Sequence, residues 1–332
     1  MEENTPSRKD GISKDEEILI RQKTCVFIRE LGIQLKLQVR STIATALIFF
    51  QRFYVRHSLK VHDHHMVALT CLFLAAKTED EPRKLHKVAE KYHTMLQKKQ
   101  NKTPIQLLNE ETYFTYKSKV CIYERIVLQT LSFDLNVVHP HTIMIKMCKQ
   151  LTKAPAFSSV KPRDFAQHAF NFLNDSGRTT VGVVYSPNTL AASAVYFAFK
   201  YFEIQDIAKR KSKKSKGDEE KEEEEQETEY QKEMRENAAD IRDVCLQVMQ
   251  MYLRDPKIKS VKSKHENMKR IKGEIETDMR ESEKNSTSLK VETKTTSVSS
   301  STKKENGNHM KREAETKIEH TNESPRKQRR VE

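Results

Sequence analysis

Tryptophan is absent from the 332 residues, glycine occurs seven times, and few segments alternate apolar with polar residues. A β-rich fold needs that alternation, so its scarcity points to an all-α chain. Cysteine is scarce too. Cys25, Cys71, Cys121, Cys148 and Cys245 lie far apart, and no two have the spacing of metal ligands. An odd number, mostly on predicted core positions, fits a reducing compartment. No apolar run is long enough to cross a bilayer, and the charged N-terminus does not read as a signal peptide. There is no Gly-rich phosphate loop, no Gly-x-Ser-x-Gly elbow and no His-Glu-x-x-His. Catalysis by this chain alone, a cofactor and a resident metal are therefore not expected. The run His62-Asp63-His64-His65 is the one metal-like cluster, but consecutive residues at a helix start point in different directions, and a surface turn fits it better.

Charge is abundant and uneven. Charged residues make up 32% of the chain against 36% apolar, and the net charge of +13 gives a pI near 9.3. A basic balance is compatible with polyanionic partners, although much of the excess lies beyond Ile207, where a disordered tail accounts for it equally well.

What is present is a succession of apolar helical stripes. In the stretch 43–56, Ile43, Leu47, Phe50 and Tyr54 share one face, and Met66–Lys77 is apolar nearly all round. A dozen such residues belong at the centre of a bundle. Around them the spacing predicts helices over about 16–36, 39–58, 63–81, 84–96 and 110–131, with Asp63 as an N-cap and Pro82 as a stop. Gly32 inside the first weakens that helix slightly.

The pattern then restarts. Prolines at 140, 162 and 187 sit at first helical positions, where a missing N–H costs nothing. Lys77 and Lys200 are 123 positions apart, and at that offset Phe49-Phe50 meets Phe172-Leu173 and 68–77 meets 191–200 without a gap. Two copies of one five-helix unit follow. The expected organisation is a flexible segment 1–15, a first bundle 16–136, a second bundle 137–254 and a disordered polar tail 255–332. The second bundle is interrupted by opposite-sign charge blocks at about 208–236. Asn237 then caps a last helix whose stripe is Ile241, Val244, Val248, Met251 and Tyr252.

Two charges at the ends of buried helices stand out, Lys77 and Glu124. Each has an ordinary reading, Lys77 as a cation at a helix C-terminus and Glu124 as one exposed position of an amphipathic helix. Phe53-Tyr54, the run 73–82 (Phe-Leu-Ala-Ala-Lys-Thr-Glu-Asp-Glu-Pro), the run 123–135 and His139-Pro140-His141 together resemble the cyclins, more narrowly the transcriptional cyclins T and K. Phe172-Leu-Asn-Asp-Ser176 and Phe202-Glu-Ile-Gln205 lean toward the K side. The likeness covers residues 16–207 well and 237–254 weakly, and it implies tandem cyclin boxes.

That resemblance implies that Lys77 and Glu124 together hold the backbone of a cyclin-dependent kinase's regulatory helix. It adds Phe133 and Leu131 as apolar contacts, with core packing as the alternative for both, and Asp80 as a further acidic contact. A Trp-rich segment usual before the last helix of this group is missing, and charged blocks stand there instead. Lys209, Arg210, Lys211, Lys213 and Lys214, with Arg326, Lys327, Arg329 and Arg330, are candidate nuclear-import or polyanion patches. Thr5 and Ser324 precede proline with a basic residue near, as proline-directed kinases favour.

The resulting expectation is a nuclear regulatory subunit, not an enzyme. Its partner would be a kinase acting on the repeat tail of RNA polymerase II, with no membrane and with nucleic-acid contact left open. A TFIIB-like DNA-gripping factor and a cell-cycle cyclin are the alternatives; the first lacks a Cys-x-x-Cys ribbon, and the second a clear destruction-box-like motif.

Overall fold

The structure is a computed structural model that describes residues 4–100, 106–151, 160–204 and 227–298. Among the described residues every regular element is helical. Met1–Ser282 form one compact unit, and Glu283–Glu332 a second. The first bundle comprises α1 (Pro6–Lys9), α2 (Lys14–Gln34), a π-helical turn (Val39–Ile43), α3 (Ala44–Arg56), α4 (His64–Thr78), α5 (Leu85–Lys99) and α6 (Glu110–Thr130). After it come α7 (Pro140–Leu151), α8 (Pro162–Ser176), α9 (Val181–Val184), α10 (Pro187–Tyr201), α11 (Glu229–Arg254), α12 (Pro256–Lys259) and α13 (Lys262–Val298).

Two separate apolar cores form. In the first, α4 is the axis: Met66 to Leu72 and Leu74 to Ala76 are buried, against Phe27, Phe49, Phe50 and Phe53, all fully enclosed. In the second, α10 takes that place, with Leu190 to Phe199 buried against Phe165, Phe172 and Val248. Each large side chain so enclosed contributes about 2–3 kcal/mol by leaving water. The apolar helices expected at the centre are there, and they occupy equivalent places in the two copies. Cys25, Cys71, Cys148 and Cys245 are buried and all five thiols are free. Burial pushes the Cys25 thiol up to about 12, so it packs as a small apolar group.

The helix starts follow local chemistry. The Asp63 carboxylate accepts from the His65 and Met66 amides and opens α4. Ser186 does the same for Thr189 ahead of Pro187. The helix expected from residue 39 begins instead with the π turn. There Glu81 accepts from the Gln38 amide at 2.9 Å and the Thr42 hydroxyl at 2.5 Å, and so caps the turn from the far end of α4. Burial acts upward on the Glu81 carboxyl, and these bonds with Arg83 outweigh it and hold it below its ordinary range. Gly32 is needed because Ile43 of this turn presses on it; a Cβ there would lie 2.6 Å from Ile43 Cδ1.

Helix ends show a shared device. Lys36, Asp80, Ser132 and Glu203 each follow a helix with φ between 54° and 56°. In every case the next amide reaches back to the last turn, as Leu37 does to Gly32 and Glu81 to Ala76. These are Schellman ends built without glycine.

Two expectations are corrected. The charged interruption does not extend to 236: α11 starts at Glu229 under a complete Thr228–Gln231 capping box, and Tyr230 and Met234 enter the second core. Asn237 is a kink inside that helix (φ −128°, ψ 29°), not its cap, and donates to Glu233. Two apolar residues four apart amid charges left too thin a stripe to read. Nor is all of 255–332 an unfolded tail: α12 and α13 follow, and Met268, Ile271 and Ile275 of α13 are buried in the second core. Residues 208–226, most of the charge blocks, lie outside the described residues.

The histidines at the start of α4 give the fold a pH dependence. The His65 ring stands edge-on to Phe27, 5.1 Å between centroids. Burial first, then the charges of His64 and Lys99, lower its pKa to about 4. An unfolded histidine titrates near 6.5. As pH falls below that value the unfolded chain binds a proton that the folded chain refuses, so the stability is whole above pH 6.5 and is lost toward pH 4. Urea midpoints should decline across that window, and His65→Gln should flatten part of the decline.

Candidate partner-binding site

Lys77 is the last basic residue of α4, and Glu124 faces it from α6. Lys77 Nζ donates to Glu124 Oε1 at 2.6 Å. The ammonium also lies 4.4 Å from the Phe73 ring centroid, one helical turn back. Phe73 was not singled out from sequence, although the four-residue spacing is the signal that would have found it. The Lys77 side chain is 45% exposed, so the pair lines an open edge rather than a core. It can offer ammonium hydrogens and carboxylate oxygens to the backbone of an approaching segment.

A second exposed feature is built by the turn after α6. Ser132 and Phe133 both have positive φ (54° and 58°), a sparsely populated region for residues with side chains. The turn is held by Arg56, which donates to the Thr130 carbonyl at 2.6 Å, and by His57, bonded to the Thr130 hydroxyl at 2.8 Å. The strain has a visible result, since the Phe133 ring stands 67% exposed. Leu131 does not join it. As the C-cap of α6 it continues the inward row of Val120 and Val127 and is 6% exposed, so it packs in the core and is not a surface contact.

Asp80 occupies the positive-φ corner three residues after Lys77 and is exposed. Its neighbours turn inward. Glu79 accepts from the Thr45 hydroxyl at 2.7 Å and lies 3.6 Å from His139, tying the end of α4 to the residue that precedes α7. The structure thus brings Lys77 and Glu124 together, displays Phe133 and Asp80, and withdraws Leu131.

Thr5 is not a free side chain. It caps α1 and donates to Glu17, a carboxylate 2% exposed that also receives Arg8 and Arg21. Arg21 is itself buried and donates further to Gln51 and the Tyr54 carbonyl. This cluster was invisible to pattern reading. Ser324 and the basic clusters at 209–214 and 326–330 lie outside the described residues. Asp63, His64 and His65 bring ligand atoms within 4.8 Å of one another, but the Asp63 oxygens already serve as the helix cap.

Residues 1–136 match the family model described as "Cyclin, N-terminal domain". Over 205 residues, 62% of this chain and 36% of the relative, the sequence is 36% identical to Cyclin-T1-4 of Arabidopsis thaliana. It is 37% identical over 202 residues to Cyclin pch1 of Schizosaccharomyces pombe, covering 60% of this chain and 56% of that protein. To human Cyclin-L1 it is 33% identical over 200 residues, covering 60% and 37%. The chain thus spans between about a third and somewhat over half of these relatives' lengths. Among solved structures it is similar in fold to a chain of the yeast RNA Pol II CTD kinase CTDK-1 complex. That match has a TM-score of 0.53 and 19% identity, and covers 75% of this chain and 71% of that one.

Proposed function

We propose that this chain, whose first 136 residues match the cyclin N-terminal domain and which resembles transcriptional cyclins over about 200, is the activating subunit of a cyclin-dependent kinase. The observation that carries the reading is the Lys77–Glu124 pair. The two groups lie 2.6 Å apart on an exposed edge, and Phe133 is held outward by the turn after α6. A kinase's regulatory helix is bistable, and a partner that binds only its inward position shifts the population toward that position. Inward, the glutamate of the kinase helix meets the ATP-positioning lysine, and phosphoryl transfer becomes possible. The chain supplies this positioning and no reacting group of its own.

The resemblance to transcriptional cyclins, and the likeness in fold to a chain of the yeast RNA Pol II CTD kinase CTDK-1 complex, support a kinase that phosphorylates the repeat tail of RNA polymerase II, and hence work in the nucleus. In this reading the first box spans 16–136, and the second begins at 137 and ends with α11. The test is purification of the full chain from nuclear extract. It should bring down one protein kinase, identified by mass spectrometry, with activity on a repeat-tail peptide. Recovery of no kinase, or of a kinase inactive on that peptide, rejects the partner or the substrate respectively.

A further inference from the structure

The internal repeat places two lysines in equivalent positions, and their surroundings differ in one respect. In the first bundle Lys77 lies over Phe73 and pairs with Glu124 of α6. In the second, Lys200 lies over Tyr196, 5.6 Å from the ring centroid, at the same four-residue spacing. The residue 123 positions beyond Glu124 is Gln247, which donates to Asp243 of its own helix. The acid that Lys200 meets comes from α13 instead, Asp278 at 2.9 Å, with Glu274 at 3.7 Å.

The rest of α13 behaves as a docked helix. Ile271, Ile275 and Met268 enter the second core from one face. Arg270 donates to the Lys200 carbonyl at 3.3 Å and pairs with Glu203 at the corner after α10. Glu203 is the counterpart of Asp80 at the same offset, and both have positive φ. The Tyr196 hydroxyl donates to Asp278. Coverage is reflected in exposure: the Lys77 side chain is 45% exposed and that of Lys200 is 18%.

We infer that the second bundle keeps a helix-accepting edge built like the one around Lys77, and that α13 is its occupant in cis, exchangeable for another helix of the same pattern. That pattern is a pair of acids four residues apart, at 274 and 278, beside apolar residues at 268, 271 and 275. A partner of this edge is an acidic amphipathic helix, recognised by the Lys200 ammonium, the Tyr196 hydroxyl and the apolar floor. The inference rests on the repeat and on α13, and it stands whether or not the first bundle binds a kinase.

The test uses the full chain. Ile271→Asp with Ile275→Asp buries two charges and should release α13. Amide exchange in 262–282 should then quicken by about tenfold or more while α10 and α11 keep their protection. A fluorescent peptide of residues 262–282 should bind this variant at least about tenfold more tightly than wild type, whose own helix competes at high effective concentration. A peptide with Glu274→Lys and Asp278→Lys should not bind. Independently, Lys200→Glu should loosen α13, and Lys200→Glu with Asp278→Lys should restore its protection. Loss of protection through α10 and α11 together with α13 would mean that the helix is an integral part of the bundle. That result, or failure of the peptide to bind the released variant, overturns the inference.

Discussion

Reversing either charge, in Lys77→Glu or Glu124→Lys, should abolish kinase association while leaving the fold intact. The two effects separate because the same pair contributes differently to each. As an intramolecular contact it is a surface ion pair with a 45% exposed lysine, contributing about 0.5 kcal/mol after screening by solvent. The melting midpoint should therefore move by no more than about 2 °C. At an interface each group would face the end of a foreign helix, out of water, and a reversed charge would confront like charge. Central interface residues of this kind cost about 2–4 kcal/mol when removed, roughly 30- to 700-fold in affinity. Pull-down and thermal melting on the same samples give both numbers. Kinase retained at wild-type levels by both reversed variants would show that the edge is not the docking surface.

The second large effect is on stability. Arg21→Met should lower the unfolding free energy by about 3–5 kcal/mol, because it strands the carboxylate of Glu17 inside the first bundle. Arg21 Nη2 and Nε lie 2.9 and 3.1 Å from Glu17 Oε1, and the guanidinium also reaches Gln51 at 3.0 Å and the Tyr54 carbonyl at 2.6 Å. Arg8 and Thr5 remain on the other carboxylate oxygen, so Glu17 would keep partners on one side only. A fall of about 10 °C in midpoint is the scale for a domain of this size. Replacing both, as Arg21→Met with Glu17→Leu, should recover part of the loss, since the enclosed carboxylate is gone and the charge left without its partner is Arg8, whose side chain is 18% exposed. Urea titrations of the single and double variants measure the difference. A double variant no more stable than the single, and not improved by adding Arg8→Met, would assign the loss to packing of the arginine stem rather than to the stranded charge.

The central helices could be read directly from the chain, because nearly all of Met66–Ala76 and its counterpart 190–199 is apolar, and only burial accommodates that. Asp63 and the prolines at 140, 162 and 187 were legible for a local reason: cap chemistry involves residues within four positions. The repeat was legible because spacing between two helices is preserved as well as their character. Lys77 and Glu124 stood out as charges, but their meeting across 47 positions came from the family resemblance. Leu131 was misread because a helix's last inward residue and its first outward one differ by a single turn of backbone. The packed part of α13 escaped because three buried side chains in a strongly charged helix make a stripe too narrow to distinguish from a solvated one. Glu17 and Arg21, one turn apart in sequence, look like an ordinary surface pair; only the third dimension encloses them.

The corners that end α2, α4, α6 and α10 have a mechanical consequence. Glycine in those places would reach the same left-handed geometry with less strain, yet it would also loosen the hinge between helix and loop. A lysine, an aspartate, a serine and a glutamate stand there instead, each with its side chain narrowing the range of backbone angles. The rims beside Lys77 and Phe133 are therefore stiff before anything arrives. A visitor to such a rim gives up its own freedom on docking but has little of the host's to extinguish.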